Sequence, residues 1–289
     1  MIYTFGSDIS MVFTNGESVE AIYCEGVKVW PAITPEPEPG EHYIKWWPKS
    51  ASGSFIMYEE AHWLQDYSGY YSGPFQSHTQ ESTGTRYWTD KSAFKDVSTI
   101  QVVETNLDVL DNRAFEGCTS LSYFMASQCV YVSARAFHDC SSLISVYLPS
   151  CSIISEGAFW SCVNLRDVYL PNLVAANGWF NFGGCFHLPE ITLPKCRFLG
   201  NETFIVCSDL SYVDLPVCSY IGQEGFYGCS KLTTLILGYS GVVSFGESAF
   251  KGTPIMQGSG SIFVPLEWVS EYKSRFPYFS SQIFPISHE

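Results

Sequence analysis

Cysteine is the residue type whose number and spacing in this sequence could most readily support chemistry. Ten of the eleven cysteines lie between Cys118 and Cys229, and most of them follow one another at intervals of 11 residues. Thiolates could form disulfides or bind zinc, yet the count is odd and no Cys-x-x-Cys pair is present. Small, weakly polar thiols also suit narrow buried corners. We therefore predict free, buried cysteines stacked in rows, with no metal site and no cofactor.

Histidines and carboxylates, the usual acids and bases of enzymes, show no spacing typical of a catalytic site. The six histidines are scattered, and the sequence contains no G-x-S-x-G, H-E-x-x-H, phosphate-loop or dinucleotide-binding motif. Acidic pairs such as Glu59-Glu60 lie in ordinary polar surroundings. We predict a non-enzymatic protein with no catalytic residues.

The charge of the chain argues against one class of partner. The formal net charge is −14, the sequence pI is about 4.8, and the 15 basic residues are scattered. Nucleic acids bind clustered Lys and Arg, so we expect no nucleic-acid partner. No apolar run reaches the roughly 20 residues that a membrane span needs, so we expect no membrane insertion. The N-terminus, with Asp8 early and no basic or long apolar region, does not resemble a signal peptide.

Phenylalanine marks an internal repeat that organises most of the chain. Seven phenylalanines recur at steps of 22 to 24 residues, and most are followed by a cysteine three residues later and a leucine three residues after that. The seven are Phe115, Phe137, Phe159, Phe182, Phe204, Phe226 and Phe250. After each leucine an apolar, any, apolar pattern often ends in proline, as in Val146-Tyr147-Leu148-Pro149. This alternation predicts a short strand that the proline terminates.

A unit of this length cannot bury its apolar face alone, so neighbouring units must stack. We therefore predict a mainly β solenoid of about seven 22-residue turns, in which corresponding strands form a parallel sheet, together with small N-terminal β modules. The leucines, valines and phenylalanines should then form rows inside the coil.

The pattern Ala-Phe-x-x-Cys-x-x-Leu-x-x-Val-x-Leu-Pro resembles the BspA-type leucine-rich repeat family over about residues 92–287. The stretch from Ala136-Phe137 through Cys140 and Leu143 to Leu148-Pro149 matches it almost throughout. The resemblance implies a leucine-rich-repeat solenoid over residues 92–260 and a closing cap over residues 261–289. It also implies adhesion or interaction with a host surface.

The first 41 residues should form an attachment rather than part of the solenoid. Residues 1–33 contain two close hairpin signals, Asn15-Gly16 and Glu25-Gly26, which predict a small β unit. Residues 19–31 are similar to short N-terminal modules of structural proteins of tailed bacteriophages. That resemblance implies anchoring to a larger assembly; the alternative is an ordinary meander packed on the same chain. The predicted anchoring residues are Ile22, Tyr23, Val27, Val29 and Trp30.

Two segments separate this unit from the repeats. Residues 34–41 alternate proline and glutamate, which favours an extended linker. Residues 42–91 are rich in aromatic residues separated by glycine and serine. We predict a β module that either caps the open first turn of the solenoid or binds sugars through its rings.

Side chains between the buried strand positions should point outward in columns and form a binding surface. Tyrosines offer large contact area and a polar tip, and acids add charge. The repeat also takes an extra residue near Trp179, which could contact a ligand or repack in the core. The predicted binding residues are Tyr123, Met125, Tyr147, Asp167, Tyr169, Trp179, Glu190, Tyr212 and Asp214.

These features favour a binding and structural protein. We expect a bacteriophage virion component, such as a tail or head fibre-like decoration, whose solenoid or aromatic module binds a host-surface protein or glycan. The alternative is a bacterial cell-surface or secreted adhesin of the same repeat family. An exposed sheet edge or the aromatic module would also allow a homo-oligomer.

Overall fold

The computed structural model describes residues 91–238 and 241–286 in full, and before residue 91 it describes the backbone of ten strands and the side chains of Ile44 and Thr89. The ten strands are β1 (Ile2–Phe5), β2 (Ile9–Thr14), β3 (Ser18–Cys24), β4 (Val27–Trp30), β5 (Tyr43–Pro48), β6 (Phe55–Tyr58), β7 (Trp63–Asp66), β8 (Gly69–Ser72), β9 (Phe75–Gln80) and β10 (Gly84–Thr89).

Each repeat makes one coil with a strand on two of its sides. The strands built from the alternating apolar pattern form the front sheet: β11 (Ile100–Thr105), β13 (Tyr123–Ala126), β15 (Ser145–Tyr147), β17 (Asp167–Tyr169), β19 (Glu190–Thr192), β21 (Tyr212–Leu215), β23 (Thr234–Leu237) and β25 (Ser261–Val264). The others form the back sheet: β12 (Val109–Leu110), β14 (Tyr131–Val132), β16 (Ile153–Ile154), β18 (Ala175–Trp179), β20 (Phe198–Asn201), β22 (Tyr220–Ile221) and β24 (Ser244–Phe245). Tight turns that contain the repeated phenylalanines form the third side, here called the turn side.

Corresponding residues of successive coils pair in parallel register. In the front sheet Phe124 lies opposite Val146, and Val146 lies opposite Val168. In the back sheet Val132 lies opposite Ile154. The predicted fold class, a mainly β repeat solenoid with parallel sheets, is confirmed.

The repeated phenylalanines form one continuous stack through the core. Their rings lie parallel, with centroids 4.9 Å apart from Phe94 to Phe115 and 5.8 Å apart from Phe226 to Phe250. In the middle of the stack, Phe159 lies 5.1 Å from Phe137 and 5.2 Å from Phe182, and its side chain is fully buried. Coil spacing therefore matches the distance at which offset aromatic rings attract one another.

The front sheet is interrupted between β17 and β19, and a proline removes one of the ladder bonds there. At the same position of other coils a backbone N–H donates to the preceding coil: Ile144 to the Ser122 carbonyl at 2.8 Å, and Arg166 to the Ile144 carbonyl at 2.9 Å. The next coil has Pro189 there, which has no N–H to donate to the Arg166 carbonyl. The ladder resumes when Ser211 donates to the Pro189 carbonyl at 2.8 Å. We call this interruption the fault.

Strands before residue 91 extend both sheets at the N-terminal end of the solenoid. Strand β5 pairs antiparallel with β11, and β6 pairs with β5. Strand β10 pairs parallel with β12 and antiparallel with β9. Strands β7 and β8 pair antiparallel with each other in a separate two-stranded sheet. Added strands satisfy the backbone groups that the first coil would otherwise leave unpaired.

The first four strands form a separate antiparallel sheet in the order β1-β2-β3-β4. Strands β2 and β3 pair on either side of the Asn15-Gly16 signal, and β3 and β4 on either side of the Glu25-Gly26 signal; the two signals themselves lie outside the described residues. The predicted anchoring residues Ile22, Tyr23, Val27, Val29 and Trp30 lie in β3 and β4. Their side chains fall outside the described residues, so their role stays a prediction.

At the other end, strand β26 (Ile283–Pro285) pairs with β25, and short helices follow the last coil. These are α1 (Pro254–Gln257), α2 (Val269–Arg275) and two 3-10 helices, Leu266–Trp268 and Pro277–Gln282. Tyr272 of α2 is buried, and its hydroxyl accepts a hydrogen bond from the Val243 N–H at 3.0 Å. Among the described residues, no helix has both the length and the apolar character that crossing a membrane requires.

The ten cysteines of the repeats are free and buried, as predicted. In the row that follows the phenylalanines, each thiol donates to the carbonyl of the phenylalanine one coil earlier; Cys140 bonds to Phe115 and Cys162 to Phe137, both at 3.0 Å. In the second row each thiol bonds two residues ahead, as Cys151 does to Ile153. A small side chain with a weak donor therefore suits both corners.

We expect these ten thiols to resist modification in the folded protein. Burial raises the pKa of every one of them, because a thiolate would lose its hydration. Native protein at mildly alkaline pH, treated with a thiol reagent and mapped by mass spectrometry, should leave them unlabelled, whereas denaturant should expose all ten. Rapid labelling of Cys140 or Cys162 in native protein would contradict the buried rows.

Candidate functional site

The outward side chains of the front sheet form two columns, which together we call the front face. The first column contains Tyr123, Ser145, Asp167, Glu190, Tyr212 and Thr234. The second contains Met125, Tyr147, Tyr169, Thr192, Asp214 and Ile236. Pairing registers align each column on either side of the fault. The columns are therefore present as predicted, and their role in binding stays a prediction.

Two members of the columns are buried rather than exposed. Met125 is 2% exposed and lies in register between Glu104 and Tyr147. Ser145 is 1% exposed and lies between Tyr123 and Asp167. Adjacent strands are only about 4.8 Å apart. Longer side chains at the equivalent positions of the preceding and following coils therefore cover the side chain that lies between them. Met125 is therefore not accessible to a partner in this conformation, although it was a predicted binding residue.

The remaining predicted residues of the front face have accessible surface. Glu190 is exposed, and the others are partly buried: Tyr123, Tyr147, Asp167, Tyr169, Tyr212 and Asp214. Tyr147 and Tyr169 stack face to face, with ring centroids 4.9 Å apart and planes 3° apart. Because the rings stack along the coil axis, they present mainly their edges and hydroxyls outward.

Two half-buried carboxyls of the front face form no ion pair in the described part of the chain. Burial raises the pKa of Asp167 against the opposing charge of Arg166, and the negative charge of Glu190 adds a smaller upward effect. Burial also raises the pKa of Asp214. Ion pairs in the described part of the chain involve other carboxylates, such as Glu116 with Lys95 and Asp209 with Lys231.

We expect Asp167→Asn and Asp214→Asn, combined, to raise the melting temperature at pH 7. A carboxyl whose pKa is raised by folding favours its neutral form, so ionisation costs stability once the pH rises through the folded pKa. The gain should disappear below roughly pH 3, where both carboxyls are protonated in the folded and unfolded states. Thermal melts at the two pH values measure it.

Asp209→Asn is the matched control, with the opposite expected sign. Hydrogen bonds from Lys231 and His187 lower the pKa of Asp209. The ionised form of Asp209 therefore stabilises the fold at pH values above the pKa that this group has in the unfolded chain. The stabilisation is lost as the pH falls through its pKa in the folded protein. The control should lower the melting temperature at pH 7. If both variants shifted it in the same direction, the assigned environments would be wrong.

Trp179 lies away from the front face, at the end of back-sheet strand β18. The extra residue of this repeat produces a register shift between Ala176 and Trp179, and Gly178 adopts a left-handed φ of 80° there. Trp179 is 43% exposed, so it is not repacked in the core. Its neighbour Phe180 stacks on Trp160 at 5.1 Å on the turn side. Trp179 therefore does not join the predicted tyrosines and acids.

The described residues also contain no metal centre of the usual kind. Within residues 91–238 and 241–286, no group of three or more His, Cys, Asp and Glu side chains is placed to hold an ion. The contact between His187 and Asp209, at 2.9 Å, lies on the surface beside Lys231.

Comparison with known proteins identifies the repeats. A family model described as BspA type leucine rich repeat region, in six copies, matches residues 86–178 and 152–259. The chain belongs to the BspA-type leucine-rich repeat family. Proteins with such leucine-rich repeats are generally binding or structural proteins. No curated protein matches the chain.

Three solved structures of leucine-rich repeat proteins are similar to the chain. A leucine rich cell surface protein from Faecalibacterium prausnitzii has a TM-score of 0.53 and 18% identity over 70% of this chain and 54% of that one. The T. pallidum leucine rich repeat protein TpLRR has a TM-score of 0.46 and 24% identity over 62% of this chain and 86% of that one. A leucine-rich repeat protein from Bacteroides ovatus has a TM-score of 0.47 and 21% identity over 67% of this chain and 58% of that one. This chain thus spans little more than half of the first and third.

Proposed function

We propose that this chain is a non-enzymatic adhesin-type protein of the bacterial cell surface, whose front face binds a protein or glycan on a host surface. One observation supports this above the others: the repeats place three accessible tyrosines, Tyr147, Tyr169 and Tyr212, beside Asp167, Glu190 and Asp214 on one face. Tyrosine gives a large contact area at low entropic cost, which suits a recognition surface.

The proposed location rests on the family and on one relative. The F. prausnitzii protein of similar fold carries the description of a leucine rich cell surface protein. Neither the family match nor the solved structures support the virion interpretation or the phage resemblance of residues 19–31. We therefore adopt the cell-surface alternative. In this proposal strands β1 to β4 fasten the chain to a larger assembly through the predicted anchoring residues.

Antibody labelling of intact cells tests the location. Antibodies raised against the purified chain should stain unpermeabilised cells of the organism that encodes it, and protease treatment of those cells should remove the signal. A cytoplasmic protein probed in parallel should become visible only after permeabilisation. Staining that requires lysis, or staining of purified phage particles instead of cells, would contradict the proposal.

Array binding tests the function itself. The labelled full-length chain is applied to an array of host matrix and membrane proteins and to an array of glycans. We expect reproducible, saturable binding to at least one component. Absence of binding on both arrays and on cultured host cells would reject the adhesin function.

A further inference from the structure

We propose that the front face beside the fault binds an arginine-bearing basic segment of a partner protein. This inference rests on the proposed function and names the class of partner within it. It concerns the part of the front face formed by Asp167, Tyr169, Glu190 and Asp214, which we call the acidic tyrosine site.

The charge of the site is the first support. From Tyr123 to Ile236, neither column contains a lysine or an arginine. Asp167 and Glu190 lie in the same column on opposite sides of the fault, and Asp214 lies in the second column two coils after Asp167. Exposed Arg166 acts on Asp167 only through its charge, and it forms no ion pair with this carboxylate in the described part of the chain. A cationic partner would supply the ion pair that the chain itself does not provide to these carboxylates.

A buried hydroxyl beside Asp167, on the side away from the fault, is the second, independent support. Ser145 is 1% exposed, and its Oγ has no hydrogen-bond partner in the described structure. It pairs in register with Asp167, whose Oδ2 also has none. Buried polar atoms normally have partners, and leaving them unpaired costs free energy. A hydrogen-bond donor on a ligand would draw the Asp167 carboxylate outward and pair with Asp167 Oδ2. The same movement would leave space beside Ser145 Oγ.

The backbone at the fault adds acceptors rather than donors. Pro189 cannot donate to the carbonyl of Arg166, so this carbonyl loses the ladder bond that its equivalents in other coils receive. Carboxylates and carbonyls together make a site that requires many donors. The guanidinium group carries five N–H donors and no acceptor, and it pairs with carboxylates through two parallel bonds.

The tyrosine geometry favours a guanidinium over a neutral sugar. Sugars stack on open aromatic faces, but Tyr147 and Tyr169 already cover one face of each other. The position equivalent to Tyr169 in the next coil is Thr192, which is exposed and carries no ring to stack on a tyrosine. A planar guanidinium can stack against Tyr169 on that side while it bonds to Asp167 or Glu190.

A charge-matched pair of triple variants tests the proposal in the full-length chain. The first carries Asp167→Asn, Glu190→Gln and Asp214→Asn. The control carries Glu202→Gln, Glu224→Gln and Glu247→Gln, which remove the same charge from the turn side. Binding of a fluorescent nona-arginine peptide is measured by anisotropy at about 0.15 M salt, with thermal melts to confirm folding.

We expect the site variant to weaken peptide binding by about tenfold or more, and the control variant by no more than about threefold. Tyr169→Ala, which preserves every charge, should also weaken it several-fold, and a nona-lysine peptide should bind less tightly than nona-arginine. Equal losses in the two triple variants would show that only net charge attracts the peptide and would overturn the inference.

The arrays separate this failure from failure of the proposed function. If the chain binds a glycan, and binding depends on Tyr147 and Tyr169 but not on the three acids, the arginine inference is wrong while the adhesin function stands. If array binding survives changes on the whole front face, both are wrong. Basic proteins among the array partners, lost with the site variant alone, would support both.

Discussion

Phe159→Ala is expected to lower the stability of the protein by roughly 3–5 kcal/mol, the usual cost of removing a large buried ring. The side chain is fully buried and stacks on Phe137 and Phe182, so its loss leaves a gap in the middle of the phenylalanine stack. For a folded region of this size, the loss corresponds to a fall in melting temperature on the order of 10 °C. Circular dichroism melts and denaturant titrations measure it.

Phe186→Ala provides the control for this substitution. Phe186 belongs to the neighbouring repeat but is 43% exposed. Phe186→Ala should cost less than Phe159→Ala, roughly 1–2 kcal/mol, because nearly half of the side chain is already exposed and no enclosed cavity forms. Similar melting temperatures for the two variants would contradict a continuous buried stack.

Tyr147→Ala combined with Tyr169→Ala is expected to weaken partner binding by roughly 10- to 100-fold while the fold is retained. Tyrosines at the centre of an interface often contribute more than 2 kcal/mol each when truncated, although such effects are not additive. Both side chains lie outside the core, and their backbone hydrogen bonds to neighbouring strands do not depend on the rings. Binding to the best array partner, measured by surface plasmon resonance, gives the change.

The back sheet offers a matched pair for comparison. Phe198 and Tyr220 stack with centroids 5.1 Å apart and planes 10° apart, which closely resembles the Tyr147–Tyr169 geometry. Phe198→Ala with Tyr220→Ala should change stability by a similar amount but leave binding nearly unchanged. If this pair reduced binding and the front pair did not, the binding surface would lie on the back sheet.

Residues that recur in every coil could be predicted from the sequence. Phe159, Cys162 and Leu165 each have residues of the same type at the equivalent positions of the preceding and following coils. The surroundings of each are therefore nearly the same in every such coil, and all three are buried. The period therefore determines both the burial and the parallel register. The rows of free thiols follow for the same reason, since a corner that suits Cys140 also suits Cys162.

Features that depend on differences between neighbouring coils could not be predicted in the same way. The burial of Met125 and Ser145 depends on the size of the side chains one coil away, not on their own type. At the fault, Pro189 replaces a residue whose N–H bonds to the preceding coil, and this ladder position becomes evident only from the hydrogen bonds.

Trp179 illustrates a second limit of sequence reasoning. The extra residue in its repeat could be absorbed by a loop, a bulge or a repacked core, and each would leave the phenylalanine stack intact. The structure absorbs it as a bulge in β18, with Asn181 buried and its amide donating to the Asn177 carbonyl at 2.9 Å. The bulge gives that amide its hydrogen-bond partner, and the repeat pattern does not contain this information.

Site-directed blocking of the front face tests the central claim most directly. Because the ten thiols of the repeats are buried, a single surface cysteine can be modified selectively in a Cys24→Ser background. Thr192→Cys places it on the front face and Gln223→Cys places it on the turn side; both positions are exposed. Each protein is coupled to a polymer-bearing maleimide and applied to the array partner and to host cells. Polymer at residue 192 should abolish binding, and polymer at residue 223 should leave it intact. Undiminished binding with polymer at residue 192 would contradict the front face as the binding surface.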